Sequence, residues 1–263
     1  IVNTDPKPED AFELYGLSIE NKTPGVTYHN LGVGGAAYGA LRSQAYFEAQ
    51  SSLLAPDLVI LDWGTNDLIY KNTVPEQLES TIVETIRKVR AEHPDALIVL
   101  TSVQDTYFRK QPITATWEFA QLIRRLAKEN DCLLYDWYRV AGGADAMRTW
   151  YAYGLTQPDH VHLSGLGYAI KGDLLAQAML NAVAWRKNHP DKTSLWVEAQ
   201  QAEVARSVSA WLKALKPFQS RPDLIRGNTP VKPKAVSRAG TKVTQVKPKS
   251  TAKSKPGKSK KPR

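Results

Sequence analysis

The chain has 263 residues, enough for one large domain or two small ones, and its 42% hydrophobic and 23% charged residues are ordinary for a globular protein. The single cysteine, Cys132, excludes an internal disulfide framework, and no apolar run is long enough to span a membrane. The formal charge of +9 is uneven, because residues 221–263 hold fourteen Lys and Arg against one Asp, a net of +13 that leaves the remainder at −4.

The predicted elements alternate along the chain after a short irregular start. Residues 1–25 are interpreted as the remnant of a preceding or inserted domain, or as a linker, although 12–19 alternate between apolar and polar residues as a strand would. Hydrophobic patterns of strand and helix type then follow each other regularly. The predicted strands are 26–31, 58–61, 96–100 and 132–135, and the predicted helices are 36–54, 75–93, 114–130, 167–186 and 193–215.

This alternation predicts an α/β domain over residues 26–216, with a parallel sheet covered by helices on both faces. Ligands of such folds bind beyond the carboxyl ends of the strands. The loops 32–35 and 64–67 each follow a predicted strand. We therefore expect them to meet at one edge of the sheet, which the loop 158–163 must also reach.

The basic end of the chain, residues 217–263, is rich in Lys and Pro and loses apolar periodicity from residue 221. Such a segment cannot bury enough apolar surface to offset its chain entropy, so we predict that it is disordered. Its charge would attract a polyanion, such as an acidic wall polymer or lipopolysaccharide, through counterion release. Residues 221–263 contain no aromatic side chain for base stacking, so no specific nucleic-acid partner is expected.

A candidate acid and base pair lies near the end of the predicted domain, where Asp159 precedes His162 by three residues. Acyl chemistry needs a general base whose tautomer is fixed by a partner, and a carboxylate at this spacing on a loop can reach the far ring nitrogen. An alternative stays open, in which Asp159 caps a turn and His162 is an ordinary surface residue. A metal site at His160 and His162 is disfavoured, because only one acid is near and no second group of ligands is evident.

A second candidate is the turn 64–67, Gly-Thr-Asn-Asp, after a buried strand. Gly64 lets the backbone approach a ligand closely, and Asn66 could aim its side-chain amide at an oxyanion. The alternative is a turn whose Asn and Asp bond only to nearby backbone, and Asp67 is interpreted as a helix cap or turn residue. The glycines of 32–35 resemble a phosphate loop only loosely, since no Lys-Ser/Thr follows, so no nucleotide cofactor is expected.

These segments together resemble the SGNH (GDSL-type) hydrolase family, over about residues 26–185. The family's loop with an Asn followed by a Gly is matched by 30–35, its Gly-x-Asn-Asp block by 64–67 and its Asp-x-x-His block by 159–162. The order and the separation of the blocks also match. The resemblance implies a three-layer, flavodoxin-like sandwich with a parallel central sheet.

The resemblance also implies a role for each matched residue. The Gly35 N–H and the Asn66 amide would be two of three oxyanion donors, with Gly64 in a supporting position. His162 would be the general base, and Asp159 would orient it. Neither a metal nor a cofactor is implied.

The family's first block, Gly-Asp-Ser with the nucleophilic serine, occurs nowhere in this sequence. Ser18 lies within a strand pattern rather than at a strand-to-helix turn, so we do not assign it that role. Members that resemble envelope-polysaccharide O-acetylesterases carry a β-rich domain inserted after the serine block, and 12–19 could be its end. We therefore expect the serine upstream of Ile1, the first strand of the sheet to be missing, and this fragment alone to be inactive.

The same resemblance implies a substrate class and a compartment. It points to a serine esterase that removes acetyl groups from peptidoglycan or another polysaccharide, in the periplasm or outside the cell. Trp63, Tyr107 and Trp150 are candidate contacts for sugar rings, although most such aromatics belong to the core. The second hypothesis is a non-catalytic glycan-binding protein on the same scaffold.

Overall fold

The computed structural model describes residue 7 and residues 23–109 and 111–188. The predictions for 12–19, for the helix 193–215 and for the basic tail fall outside these residues. The described strands are β1 (Leu58–Leu61), β2 (Leu97–Thr101), β3 (Tyr107–Phe108), β4 (Gln111–Pro112) and β5 (Leu133–Tyr135). The described α-helices are α1 (Phe47–Ser51), α2 (Thr65–Leu68), α3 (Leu78–Glu92), α4 (Ala115–Glu129), α5 (Trp137–Ala141), α6 (Ala146–Ala152) and α7 (Gly165–Asn188).

The main sheet is parallel, in the order β1-β2-β5. Leu58 of β1 lies opposite Leu97 of β2, and Val99 of β2 lies opposite Leu133 of β5. β3 and β4 form a small antiparallel hairpin apart from it. Apolar strands joined by helical connections form such a parallel sheet because each connection must cross over a face. The predicted α/β fold with a parallel sheet is confirmed.

The two faces of the sheet are covered by different helices, as alternating side chains of β2 show. Ile98 and Leu100 pack into one hydrophobic cluster, together with buried residues of α3 and α4. Val99 points to the opposite face and packs into a second cluster with residues of α5, α6 and α7. Because successive side chains of a strand alternate between faces, this division makes the domain three layers deep.

The three long helices agree with their predicted positions, but the predicted helix 36–54 is wrong. This stretch is divided into a 3₁₀ helix at Tyr38–Ser43, α1, and a 3₁₀ turn at Ser52–Leu54. The tighter 3₁₀ winding places residues three apart on one side, and here it buries both Tyr38 and Leu41. Burial of these two side chains therefore outweighs the helical pattern, which Gly39 already weakens.

The predicted strand 26–31 is also absent. Its residues are irregular and exposed, with Val26 97%, Tyr28 79% and Leu31 66% accessible. A strand needs a neighbour to pair its backbone N–H and C=O groups. Among the described residues, β1 pairs only with β2, and no strand lies beside 26–31 to hold it. As for membranes, no helix in the described ranges is long and apolar enough to cross a bilayer.

Candidate active site

The loop that carries Asp159 and His162 is a short hairpin-like turn between α6 and α7. Thr156 and Leu163 form an isolated antiparallel bridge, and the Gln157 N–H donates to the His162 carbonyl at 2.7 Å. The His160 N–H donates back to the Gln157 carbonyl at 3.1 Å, which closes the turn. The turn places the carboxylate of Asp159 beside the ring of His162.

Asp159 contacts both the backbone of this turn and the imidazole of His162. One carboxylate oxygen accepts from the backbone N–H groups of Val161 and His162, at 2.9 and 3.0 Å. The other lies 2.7 Å from Nδ1 of His162, whose side chain is 66% exposed. Partial burial opposes ionisation of Asp159, but these hydrogen bonds hold its pKa below the usual value. Asp159 therefore stays ionised, caps the turn and can fix the His162 tautomer, so its capping role does not exclude the predicted pair with His162.

A buried glutamine, Gln104, supports this loop from the sheet side. Its only signal in the sequence is that a polar residue follows β2. The Gln104 side-chain amide donates to the Val161 carbonyl at 2.9 Å. Its oxygen accepts the indole N–H of Trp137 at 2.7 Å. Gln104 is 7% exposed and Trp137 is fully buried. The peptide between Asp159 and His162 is thus anchored to the core by groups that water cannot replace easily.

The predicted oxyanion residues meet at a second loop pair. Asn66, in α2, donates its side-chain N–H to the backbone carbonyl of Ala36 at 2.8 Å. Ala36 directly follows Gly35 in the chain. Asp67 accepts the Tyr38 N–H with both carboxylate oxygens, at 3.3 and 3.2 Å. Asp67 therefore holds the segment that follows Gly35, rather than only capping its own turn. These bonds bring Gly35 and Asn66 to neighbouring positions.

Gly64 allows this approach because no other residue fits there. Its φ is 117°, a backbone conformation that residues other than glycine rarely adopt. A Cβ at this position would lie 2.6 Å from two ring carbons of Phe119, a fully buried residue of α4. Gly64 thus sets the turn that places Asn66.

The two halves of the candidate site are linked through charged side chains. Lys171, in α7, lies 2.8 Å from the Asp62 carboxylate at the end of β1, and Thr101 donates to the other Asp62 oxygen at 2.5 Å. Partial desolvation opposes ionisation of Asp62, whose side chain is 46% exposed, but Lys171 and Thr101 keep its pKa below the usual value. Within the described ranges no hydrogen bond joins the Asp159–His162 pair directly to Asn66. The ion pair ties the helix after the His162 loop to the strand before Gly64.

The three aromatic residues that the sequence suggested for sugar contacts have different surroundings. Trp150 is fully buried and donates its indole N–H to the Ala141 carbonyl at 2.9 Å, so a surface role for it is wrong in this structure. Tyr107 is also buried, at 3% exposure, and its hydroxyl donates to Asp145 at 2.7 Å. Trp63 is partly buried, with its ring edge-on to Tyr38. Large aromatic side chains gain most from burial, which explains these positions.

The two histidines of the His-x-His segment have separate partners. His162 faces Asp159, whereas the His160 ring packs against Tyr107 and Tyr151. In the part of the chain that the structure describes, no group of three or more His, Cys, Asp or Glu residues could hold a metal ion.

Asp105, in the loop after β2, is a buried carboxyl with incomplete hydrogen bonding. It is 5% exposed; one oxygen accepts the Met147 N–H at 2.9 Å, and the other has no partner within the described residues. Burial, reinforced by the charge of Asp145, raises the pKa of Asp105 to about 6. The folded state therefore binds a proton on Asp105 more tightly than the unfolded chain does.

This shift predicts a pH-dependent loss of stability. Below the unfolded pKa of 3.8, Asp105 is protonated in both the folded and the unfolded state, so its contribution to the free energy of unfolding is fully present there. That contribution is lost as the pH rises through the folded pKa of about 6. The loss amounts to about 3 kcal/mol. Urea unfolding between these pH values should show it, and Asp105→Asn should flatten the slope, whereas Asp95→Asn, at an exposed carboxyl, should not. An unchanged slope in Asp105→Asn would contradict the assignment.

The sequence of this chain is similar to those of known proteins. The profile of the GDSL-like lipase/acylhydrolase family matches residues 7–170. A solved structure of a peptidoglycan O-acetylesterase is 25% identical, with a TM-score of 0.53; it covers 57% of this chain and 45% of its own. This chain therefore spans less than half the length of that structure. No curated protein matches the chain.

Two further solved structures show a weaker similarity. A lipase/acylhydrolase from Enterococcus faecalis is 18% identical with a TM-score of 0.42, over 54% of this chain and 70% of its own. A GDSL-like lipase from Bacteroides thetaiotaomicron is 23% identical with the same TM-score, over 56% of this chain and 73% of its own. The family profile covers more than half of the sequence, including the segments that contain Asn66, Asp159 and His162. The chain belongs to the GDSL-like lipase/acylhydrolase family, the SGNH hydrolases.

Proposed function

We propose that the protein is a serine-type carbohydrate O-acetylesterase, in which His162 is the general base and Asp159 orients it. The observation that carries the proposal is the 2.7 Å contact between the Asp159 carboxylate and Nδ1 of His162, within a turn that also satisfies the other carboxylate oxygen. This contact leaves Nε2 of His162 as the proton acceptor, on a side chain that is 66% exposed.

The proposed reaction follows the two-step course of acyl transfer. Nε2 of His162 takes the proton of a serine hydroxyl as its oxygen attacks the acetyl carbonyl, and the same proton then leaves with the sugar hydroxyl. Water, deprotonated by His162, then attacks the acetyl carbonyl of the acetyl-enzyme, and His162 returns the proton to the serine oxygen as acetate leaves. The Asn66 amide and the Gly35 N–H stabilise the oxyanion in both steps, because they lie on adjoining loops held by the contact of Asn66 with Ala36.

The substrate class rests on the chain's relatives and on its charge. The solved structure at 25% identity is that of an enzyme named for peptidoglycan, and we assign an acetylated cell-envelope polysaccharide, reached in the periplasm or outside the cell, to this protein as well. The fourteen Lys and Arg of 221–263 would add attraction to acidic envelope polymers. If binding to such polymers did not weaken as the salt concentration rises, this role of the basic residues would be contradicted.

Acetate release from O-acetylated peptidoglycan by the full gene product tests the function directly. We expect release from the acetylated polymer, and covalent labelling of one serine by a fluorophosphonate, identified by mass spectrometry. The matched control is the same polymer after mild alkaline de-acetylation, which should yield no acetate. If the full gene product binds the polymer but neither releases acetate nor takes the label, the protein is a glycan binder on a hydrolase scaffold instead.

A further inference from the structure

His160 has a left-handed backbone conformation. Its φ is 56°, in the left-handed region that glycine adopts without cost, and it lies two residues before His162. A non-glycine residue there costs of order 1 kcal/mol or more and persists only where the surroundings hold it. Glycine would adopt this φ without cost, whereas the imidazole of His160 adds ring contacts to neighbouring side chains.

The ring of His160 lies between two tyrosines. Tyr151, on α6, stacks on it with centroids 4.6 Å apart and an interplanar angle of 28°. Tyr107 meets it edge-on at 5.5 Å. Partial burial and the nearby Arg148 lower the pKa of His160, so its ring is neutral near pH 7. Tyr151 is 40% exposed, so this neutral aromatic stack reaches the surface.

Charged groups border the stack. The Asp145 carboxylate accepts the Tyr107 hydroxyl at 2.7 Å, and the Arg148 guanidinium lies 5.7 Å from the centroid of the Tyr107 ring. Asp145 and Arg148 are 3.8 Å apart, and their side chains are 72% and 65% exposed. An exposed aromatic surface beside a carboxylate and a guanidinium suits a sugar, which has an apolar C–H face and a rim of hydroxyl groups.

We propose that Tyr151, His160, Asp145 and Arg148 form a saccharide-binding subsite next to the catalytic base. The stack would contact the C–H face of one hexosamine ring of the polysaccharide, and the two charged residues would bond its hydroxyl or acylamino groups. His160 and His162 are two residues apart, a separation of at most about 7 Å along the chain. The sugar ring bound at the stack would therefore lie beside the sugar that is de-acetylated at His162. The inference rests on the proposed function, since it names where the polysaccharide is held.

Titration calorimetry with tetra-N-acetylchitotetraose, on the chain as it stands, tests the subsite without any chemistry. Tyr151→Ala should weaken binding about five- to tenfold, as expected for loss of one aromatic contact. His160→Gly should weaken it similarly while its melting temperature stays near that of the wild type, because glycine accepts the φ of 56°. Tyr46→Ala, at a tyrosine that is 71% exposed, is the matched control and should bind as the wild type does.

Two results would overturn the subsite. One is a wild-type chain that does not bind the tetrasaccharide at millimolar concentration. The other is wild-type affinity in both Tyr151→Ala and His160→Gly, which would make the cluster a structural brace for the turn. If His160→Gly fails to fold, Tyr151→Ala still tests the subsite, because the side chain of Tyr151 lies at the surface. The function itself is tested by acetate release and serine labelling, so either proposal can fail alone.

Discussion

Replacing His162 with alanine in the full gene product should lower kcat for ester hydrolysis by about 10⁴-fold or more. Among the residues that the structure describes, no other imidazole shares its position: Nδ1 of His162 faces the Asp159 carboxylate at 2.7 Å, and the neighbouring His160 is packed between tyrosines. In the proposed mechanism, removal of the imidazole leaves the serine hydroxyl without a proton acceptor, while the proposed oxyanion donors remain. The loss should appear both with p-nitrophenyl acetate and with acetylated polymer, since it concerns the chemical step in each.

Two further variants make this result specific. Asp159→Asn should also cause a large loss, because an amide nitrogen facing Nδ1 would favour the tautomer with the proton on Nε2, which cannot act as a base. His29→Ala, at an exposed histidine, should leave turnover unchanged. Undiminished turnover in His162→Ala would show that His162 is not the general base.

The parts of the fold that the sequence predicted well are those with strong local patterns. β1 and β2 are compact apolar runs, and α3 and α4 have apolar stripes of helical period, so their limits agree with prediction within a few residues. The segment 26–31 has a comparable strand pattern but forms no strand. Whether such a run pairs depends on a neighbour far away in the chain, which local periodicity does not contain.

In the candidate site too, local contacts could be predicted from the sequence and long-range contacts could not. Asp159 and His162 could be paired from sequence because three residues of a turn bring them together. The anchoring of their loop could not, because Gln104 is more than fifty residues away and reaches Val161 only in the folded chain. Trp150 was misassigned for a related reason: an aromatic residue near a site in sequence is as suitable for the core, and here its indole N–H finds a buried carbonyl.

Loss of the Asn66 amide should lower kcat on the order of 10²–10³-fold, the usual effect of removing one oxyanion donor. In the structure one N–H of this amide is bonded to the Ala36 carbonyl at 2.8 Å, which fixes the orientation of the group. A primary amide has a second N–H, and this hydrogen is the one we assign to the oxyanion. Because the bond strengthens as charge develops on the substrate oxygen, kcat should fall in Asn66→Ala while KM changes little.

The tether to Ala36 gives Asn66 a structural role as well, and the two roles can be separated. If only the tether mattered, Asn66→Ala would reduce the free energy of unfolding and shift KM, with a modest change in kcat. Asn72→Ala, at an exposed asparagine of the following loop, supplies the matched control for both measurements. Wild-type kcat in Asn66→Ala would exclude the side chain as an oxyanion donor and would leave that role to backbone N–H groups such as that of Gly35.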